Sequence, residues 1–384
     1  MASRFWVGGT GTWNASSTAN WSATSGGASG ASAPTTSDAV TFDSNSGTGT
    51  VTTATGSICS TSTINSANIS LVFGGNHTQS GSMTLTIGSV SLASYSVTCT
   101  AFSSSNSNTR LLNFGTGKIV LSGSNATVFN TGTFTGMTIS GSRTVELSYS
   151  GAVGTRTITT ASIAAGNTEA MVVSFYILSG TDIVNISSGR AYGTIDFTGF
   201  AGSFTSNSMS VYGNFSISSG MTTVASTGAL GFVATSGTKT ITTNGKTIDQ
   251  PIAFNGIGGT FACSDALTQG STRAFTITNG TVQLKAGVTS TVGLFATSGS
   301  NQKYLQSTLA GSQATLSQAT GTVDSSYLTI QDINATGGAT WNAFVDQNNI
   351  DAGNVDGWNF GISPVIGGSE YTYQLRSFTQ PRRF

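Results

Sequence analysis

Ala274-Phe-Thr-Ile-Thr278, followed closely by Thr281-Val-Gln-Leu-Lys285, alternates apolar residues with hydroxyl, amide or charged ones. Period two sets Phe275 with Ile277 and Val282 with Leu284 on one dry face and turns the polar partners outward, the pattern of a half-buried strand. The same texture recurs at Met83-Thr-Leu-Thr-Ile87, Ser96-Val-Thr-Cys-Thr100, Lys118-Ile-Val-Leu121, Arg143-Thr-Val-Glu-Leu-Ser-Tyr149 and Arg156-Thr-Ile-Thr159. Turns rich in Gly, Ser, Asn and Thr separate the runs, and no segment of about 12 residues carries a helical period. A sandwich or barrel and a β-solenoid both accommodate many short strands. Roughly 285 residues of this texture without a linker strain a single sandwich core, which tends to split beyond about 250–300 residues. A solenoid has no such limit, because each coil stacks only on its neighbours. Gly231-Phe-Val-Ala-Thr-Ser-Gly237 returns as Gly293-Leu-Phe-Ala-Thr-Ser-Gly299, an offset of 62 positions from 231 to 293. That is about three coils at the 20-odd residues usual for such repeats. The expected fold is all-β, an elongated parallel β-helix with aromatic-rich caps at both ends; sandwich-type domains are the alternative.

Composition agrees with stacked coils. The 384 residues include 14 Asp+Glu, 14 Lys+Arg and one His, so 7% are charged, against about 25% in an average globular protein. Like charges on coils about 4.8 Å apart form repelling ladders, whereas Ser, Thr and Asn hydrogen-bond along the stack. Fifty Gly serve corners and only four Pro leave the strand donors intact. The apolar content excludes a disordered linker, and the Gly content falls far below that of collagen.

A formal net charge of +0 leaves no phosphate-neutralising surface, so nucleic acid is not an expected partner. The start, Met1-Ala-Ser-Arg-Phe-Trp-Val-Gly-Gly, lacks the n-region and h-region of a secretory signal. The longest apolar stretch, Met171 to Leu178, is interrupted by Ser174 and is far short of the ~20 residues that span a bilayer. Membrane insertion is not expected. Cys59, Cys99 and Cys263 show no CxxC spacing and read as buried small hydrophobes. No cofactor or metal is expected.

The chain divides into a cap or attachment segment (1–45), a β-helix body (46–330) and a C-terminal cap and docking tail (331–384). Trp6, Trp13 and Trp21 are the expected N-terminal cap, and Trp341, Trp358 and Phe360 the C-terminal one, since an open coil end presents unpaired edges and core. Tyr371, Tyr373, Arg376, Phe378, Arg382, Arg383 and Phe384 form an aromatic, basic tail suited to docking on another chain.

Arg4-Phe-Trp-Val-Gly-Gly-Thr-Gly-Thr-Trp13 through Asn20-Trp-Ser22, with Pro34, Asp38 and Phe42-Asp43, resembles the opening of a group of bacteriophage structural proteins. Ser326-Tyr-Leu-Thr-Ile-Gln-Asp-Ile-Asn334, Gly337-Gly-Ala-Thr-Trp341 and Gly353-Asn through Trp358-Asn-Phe360 resemble segments that close β-helical phage and adhesin-like proteins. The resemblance covers about a quarter of the chain. It implies a fibre, spike or capsid decoration protein, often trimeric, assembled in the host cytoplasm and exposed on the virion. It implies other virion proteins and a host-surface glycan or receptor as partners, and it carries over no catalytic residue.

His77, in Gly75-Asn-His-Thr78, reads as a turn or surface residue, because no carboxylate between Asp43 and Glu146 is available to orient it. Polysaccharide cleavage needs two acids about 5–9.5 Å apart, and the body offers Glu146, Glu169, Asp182, Asp196, Asp249, Asp265 and Asp324. Asp182 and Asp196 are a candidate pair for adjacent coils. Asp346, Asp351 and Asp356 lack known calcium-loop spacings and read as turn caps. The Thr-x-Thr arrays (Thr84/Thr86, Thr155/Thr157/Thr159, Thr238/Thr240/Thr242, Thr276/Thr278) are spaced too irregularly for an ice-binding plane and follow from strand propensity. The expectation is a non-enzymatic virion surface protein; a tail-spike depolymerase and a cellular adhesin are the alternatives.

Overall fold

The computed structural model describes residues 2–364, except Asn125, Ser188 and Gly189. The chain is 2% helical and winds into a parallel β-solenoid of about 14 turns. Each coil contributes to three faces. One parallel ladder runs from Ser3–Trp6 through Ala39–Phe42, Thr61–Phe73 and Met83–Ser91 to Thr223–Val224, and a bridge from Ala225 to Asp249 carries it on to Ile333–Gly337. A second stacks His77–Gln79, Ser96–Cys99, Lys118–Leu121, Thr144–Leu147 and Ser174–Ile177 in register. The third includes Arg190–Tyr192, Met209–Val211 and Leu230–Phe232.

Coil length varies. Along the second ladder, Val97 to Ile119 is 22 residues, Val145 to Phe175 is 30, and Phe175 to Ile195 is 20. The repeat seen in sequence is three coils apart, as expected, but out of register: Gly231 aligns through Ala253 and Thr276 with Ala296, three positions past Gly293. Met83–Ser91 and Ala274–Leu284 turn from one face to the next at glycine, whereas Thr61–Phe73 turns through Asn65-Ser-Ala-Asn68. Gly88 has φ +100° and Gly280 φ +88°, and a Cβ at either would crowd the backbone of the coil beneath.

The inward residues of each run meet along the axis. Phe232–Phe254, Phe254–Phe275 and Phe275–Phe295 centroids lie 5.3, 5.2 and 5.8 Å apart, within the range of favourable ring contacts. On the outside, hydroxyls and amides bridge coils. Ser70–Ser89, Thr242–Ser264 and Thr278–Ser298 pair at 2.7–2.8 Å. Asn301 donates to Asn279, which donates to Asn255, at 2.8 and 2.6 Å. The threonine arrays form no continuous rank, since Thr276 stacks between Ala253 and Ala296.

The ends differ. Trp6, Trp13 and Trp21 are at most 1% exposed and cluster with Phe42. Trp341 is buried against Phe295 and Trp358, whereas Trp358 and Phe360 remain half-buried and Ile350 and Ile362 are exposed. The docking-tail residues Tyr371 to Phe384 lie outside the described residues.

Candidate functional site

His77 is not at the surface. It occupies the strand His77–Gln79 and points inward, 1% exposed, between the rings of Trp13 (5.3 Å) and Phe73 (5.2 Å). The Gly75-Asn76 turn ends one residue earlier than expected, which puts His77 on the dry face. Ser57 Oγ lies 3.3 Å from Nδ1 and Cys59 Sγ 3.7 Å from Nε2. A reactive Cys-His pair needs thiolate beside imidazolium. Here burial acts against both charges: it pushes the Cys59 thiol up to about 12, helped by nearby Cys99, and pulls His77 down to about 4. The pair is neutral and sealed. Cys99 and Cys263 are likewise buried, with thiols raised to about 12 chiefly by desolvation.

That burial has a measurable consequence. His77 protonates near 6.5 when unfolded and only near 4 in the fold. Between these values the unfolded chain binds the extra proton, so stability falls as pH drops through the window, by about 3 kcal/mol in all. Urea midpoints of wild type and His77→Gln, compared at pH 7 and pH 4.5, are expected to show the larger acid loss in wild type. Parallel losses would remove His77 as the cause.

The Asp182/Asp196 pairing fails. Asp182 lies inside, where its carboxylate accepts from Arg156 Nε (2.8 Å) and Nη2 (2.7 Å). Asp196 sits on another ladder and faces out. Asp346 accepts from Ser363 N, Asp351 from Gly353 N, and Asp356 from Gln313 Nε2. These three carboxylates serve separate turns and contacts. Arg110, also buried, donates to the carbonyls of Ser104, Asn108, Thr133 and Thr135, tying two loops to the coil.

The outer wall of the second ladder brings together residues that sequence spacing kept apart. Glu146, Tyr176, Asp196, Ser216 and Thr242 occupy matching positions on five successive coils. Beside them runs Thr194, Asn214 and Thr240. All of these except Glu146 line a shallow groove of about 230 Å³ with Phe215 at its base. Lys118 engages Glu146 at 2.6 Å. Asp196 Oδ1 accepts from Thr198 N (2.8 Å) and Oγ1 (2.6 Å), and Asn214 Oδ1 accepts from Thr240 N (2.8 Å). Among the described residues, no group donates to Asp196 Oδ2 and none accepts from Asn214 Nδ2.

Three other grooves have no tyrosine in their lining. One of about 290 Å³ is formed by Ile69, Leu111 and small neighbours. Another, about 330 Å³, has Ser210, Gly231 and Ala253 as its floor and the 3₁₀ turn Ile163–Ala165 as a wall. A third, about 530 Å³, ends at Ser363 and Pro364, the last described residues.

The class these observations define is a parallel β-solenoid with a polar, hydrogen-bonded side wall. No protein-family model matches the chain, and no match was found to a curated protein or to a solved structure.

Proposed function

We propose that the chain is a non-enzymatic virion surface protein, of fibre, spike or capsid decoration type, that stabilises the particle or attaches it to a host. The observation that carries this reading is the side wall: hydroxyl and amide side chains bridge coil to coil, giving a stiff, nearly uncharged surface. Such a surface is suited to permanent assembly, where little charge repulsion keeps copies apart. The amino-terminal resemblance to phage structural proteins supplies the setting, with other virion proteins and a homotrimer as the expected associations. Immunogold electron microscopy and mass spectrometry of purified particles are expected to place the chain on their surface. Its confinement to the soluble fraction of the producing cell would sink the reading.

One observation favours a second reading, a glycan-cleaving spike. Glu146 and Asp196 flank Tyr176 two coil rises apart, roughly 10 Å along the stack and at the upper edge of the separation inverting glycosidases use. Against it, Lys118 occupies Glu146 and Thr198 occupies one oxygen of Asp196. Release of new reducing ends from host-surface glycans, abolished by Glu146→Gln, would establish cleavage.

A further inference from the structure

We propose that the groove beside Tyr176 is a binding subsite for one pyranose ring of a neutral glycan. The inference takes its biological setting from the attachment reading and its chemistry from the groove itself. A pyranose offers a flat C–H face and a rim of hydroxyls that each donate and accept. It needs a rigid apolar plate with a few fixed polar groups beside it. Tyr176 supplies the plate: its side chain faces outward from the strand Ser174–Ile177 and is half-exposed. Tyrosine offers a large amphipathic contact at low entropic cost, since only two side-chain torsions must be fixed.

The polar groups are already oriented. Thr198 holds one oxygen of Asp196, leaving Oδ2 as an acceptor of set direction. Thr240 holds Asn214 Oδ1, which orients the amide and leaves Nδ2 as a donor. Asp196 and Asn214 come from successive coils, two strand positions out of line, so an acceptor and a donor stand on a diagonal roughly 7–8 Å apart at their bases, which suits hydroxyls on opposite edges of one ring. Pre-orientation lowers the cost of binding because no rotamer has to be chosen. Charge sets the class of sugar. Among the described residues lining the groove there is no cation, and Asp196 is the only carboxylate. Uronate and sulfated sugars therefore meet repulsion without compensation, whereas neutral hexose and N-acetylhexosamine units do not.

The experiment is calorimetric titration of the full chain with neutral hexose and N-acetylhexosamine oligosaccharides, and with oligouronates of equal length. Saturable binding of a neutral series is expected, with oligouronates weaker. Tyr176→Ala is expected to weaken it at least about tenfold, while Tyr176→Phe stays within about threefold and Asn214→Ala loses about fivefold. Melting curves of the two Tyr176 variants should match wild type, since that side chain faces solvent, and Asn214→Ala should melt only slightly lower for the loss of its hydrogen bond from Thr240 N. Failure of every neutral series to bind at millimolar concentration, undiminished binding by Tyr176→Ala, or preference for uronates would each overturn the proposal. A chain present on particles that binds no glycan defeats the subsite and spares the attachment reading. A chain that binds glycan but is missing from particles does the reverse.

Discussion

Asp182→Ala is expected to lower the unfolding free energy by about 3–5 kcal/mol, the cost typical of removing one partner from a buried ion pair. The Arg156 and Asp182 side chains are both 0% exposed and meet through two hydrogen bonds. Arg156 Nη2 also donates to Ser179 O, and the guanidinium lies 5.5 Å from the Phe200 ring. Deleting the carboxylate strands a group that stays charged at any accessible pH in an apolar interior. Arg156→Lys is no substitute, because a point ammonium cannot reproduce the planar fork. The double variant Arg156→Met/Asp182→Leu is expected to recover most of the loss, since a well-packed apolar pair is often as stable as the ions it replaces. Urea unfolding of the three variants measures this. Hydrogen exchange should localise the damage to Thr155–Thr160, Ile183–Ile186 and Ser203–Ser206, which pair in sequence. A loss below about 1 kcal/mol for Asp182→Ala, the range of exposed pairs, would show that the site tolerates the lone cation.

The strands were legible because a side chain's face depends only on parity within a run. Phe275, Ile277, Val282 and Leu284 are buried as their alternation requires. Parallel stacking was legible from the length of unbroken texture and from the sparse charge. Register was not, because coils of 18 to 40 residues place no fixed sequence distance between neighbours. Tyr176 and Asp196 are twenty positions apart and Glu146 and Tyr176 thirty, yet all three share one column. Asp182, nearer to Asp196 in sequence, turns inward on another ladder. Its inward position follows from Arg156, whose place on the dry face of Thr155–Thr160 breaks the rule that charge points out. The alternation Thr155-Arg-Thr-Ile158 holds the signal: Arg156 has the parity of buried Ile158. His77 was misplaced for a similar reason, since the strand begins on it rather than after it.

Removal of residues 2–44 is expected to convert the chain into a species that associates end to end. The N-terminal end is closed in two ways. Three tryptophans fill the axis, and Trp21–Ser22 pairs antiparallel with Ser3–Trp6, the one reversal of direction among the described strand pairs. Beyond it the ladder cannot continue, because Trp21 O already accepts from Gly30 N and Ala31 N, at 3.0 Å each. A two-residue final strand with its carbonyl engaged is a poor template for another chain. Without this segment, Thr61–Phe73 loses its Ala39–Phe42 partner along Thr61 to Ile64 and bares donors, acceptors and the apolar axis together. An exposed flat parallel edge above open core recruits strands from other copies. Light scattering is expected to rise with concentration for the truncated chain, with elongated particles in negative stain. Thr63→Pro in the truncated chain removes a ladder donor and is expected to suppress the growth. The full-length variant Trp6→Ala/Trp21→Ala separates the two elements of the closure. It keeps the strand pairing but empties the axis, at a cost of about 3–5 kcal/mol per large aromatic lost, so it is expected to melt earlier without polymerising. Equal hydrodynamic size for truncated and full-length chains at every concentration would mean that the first 44 residues do not guard this edge.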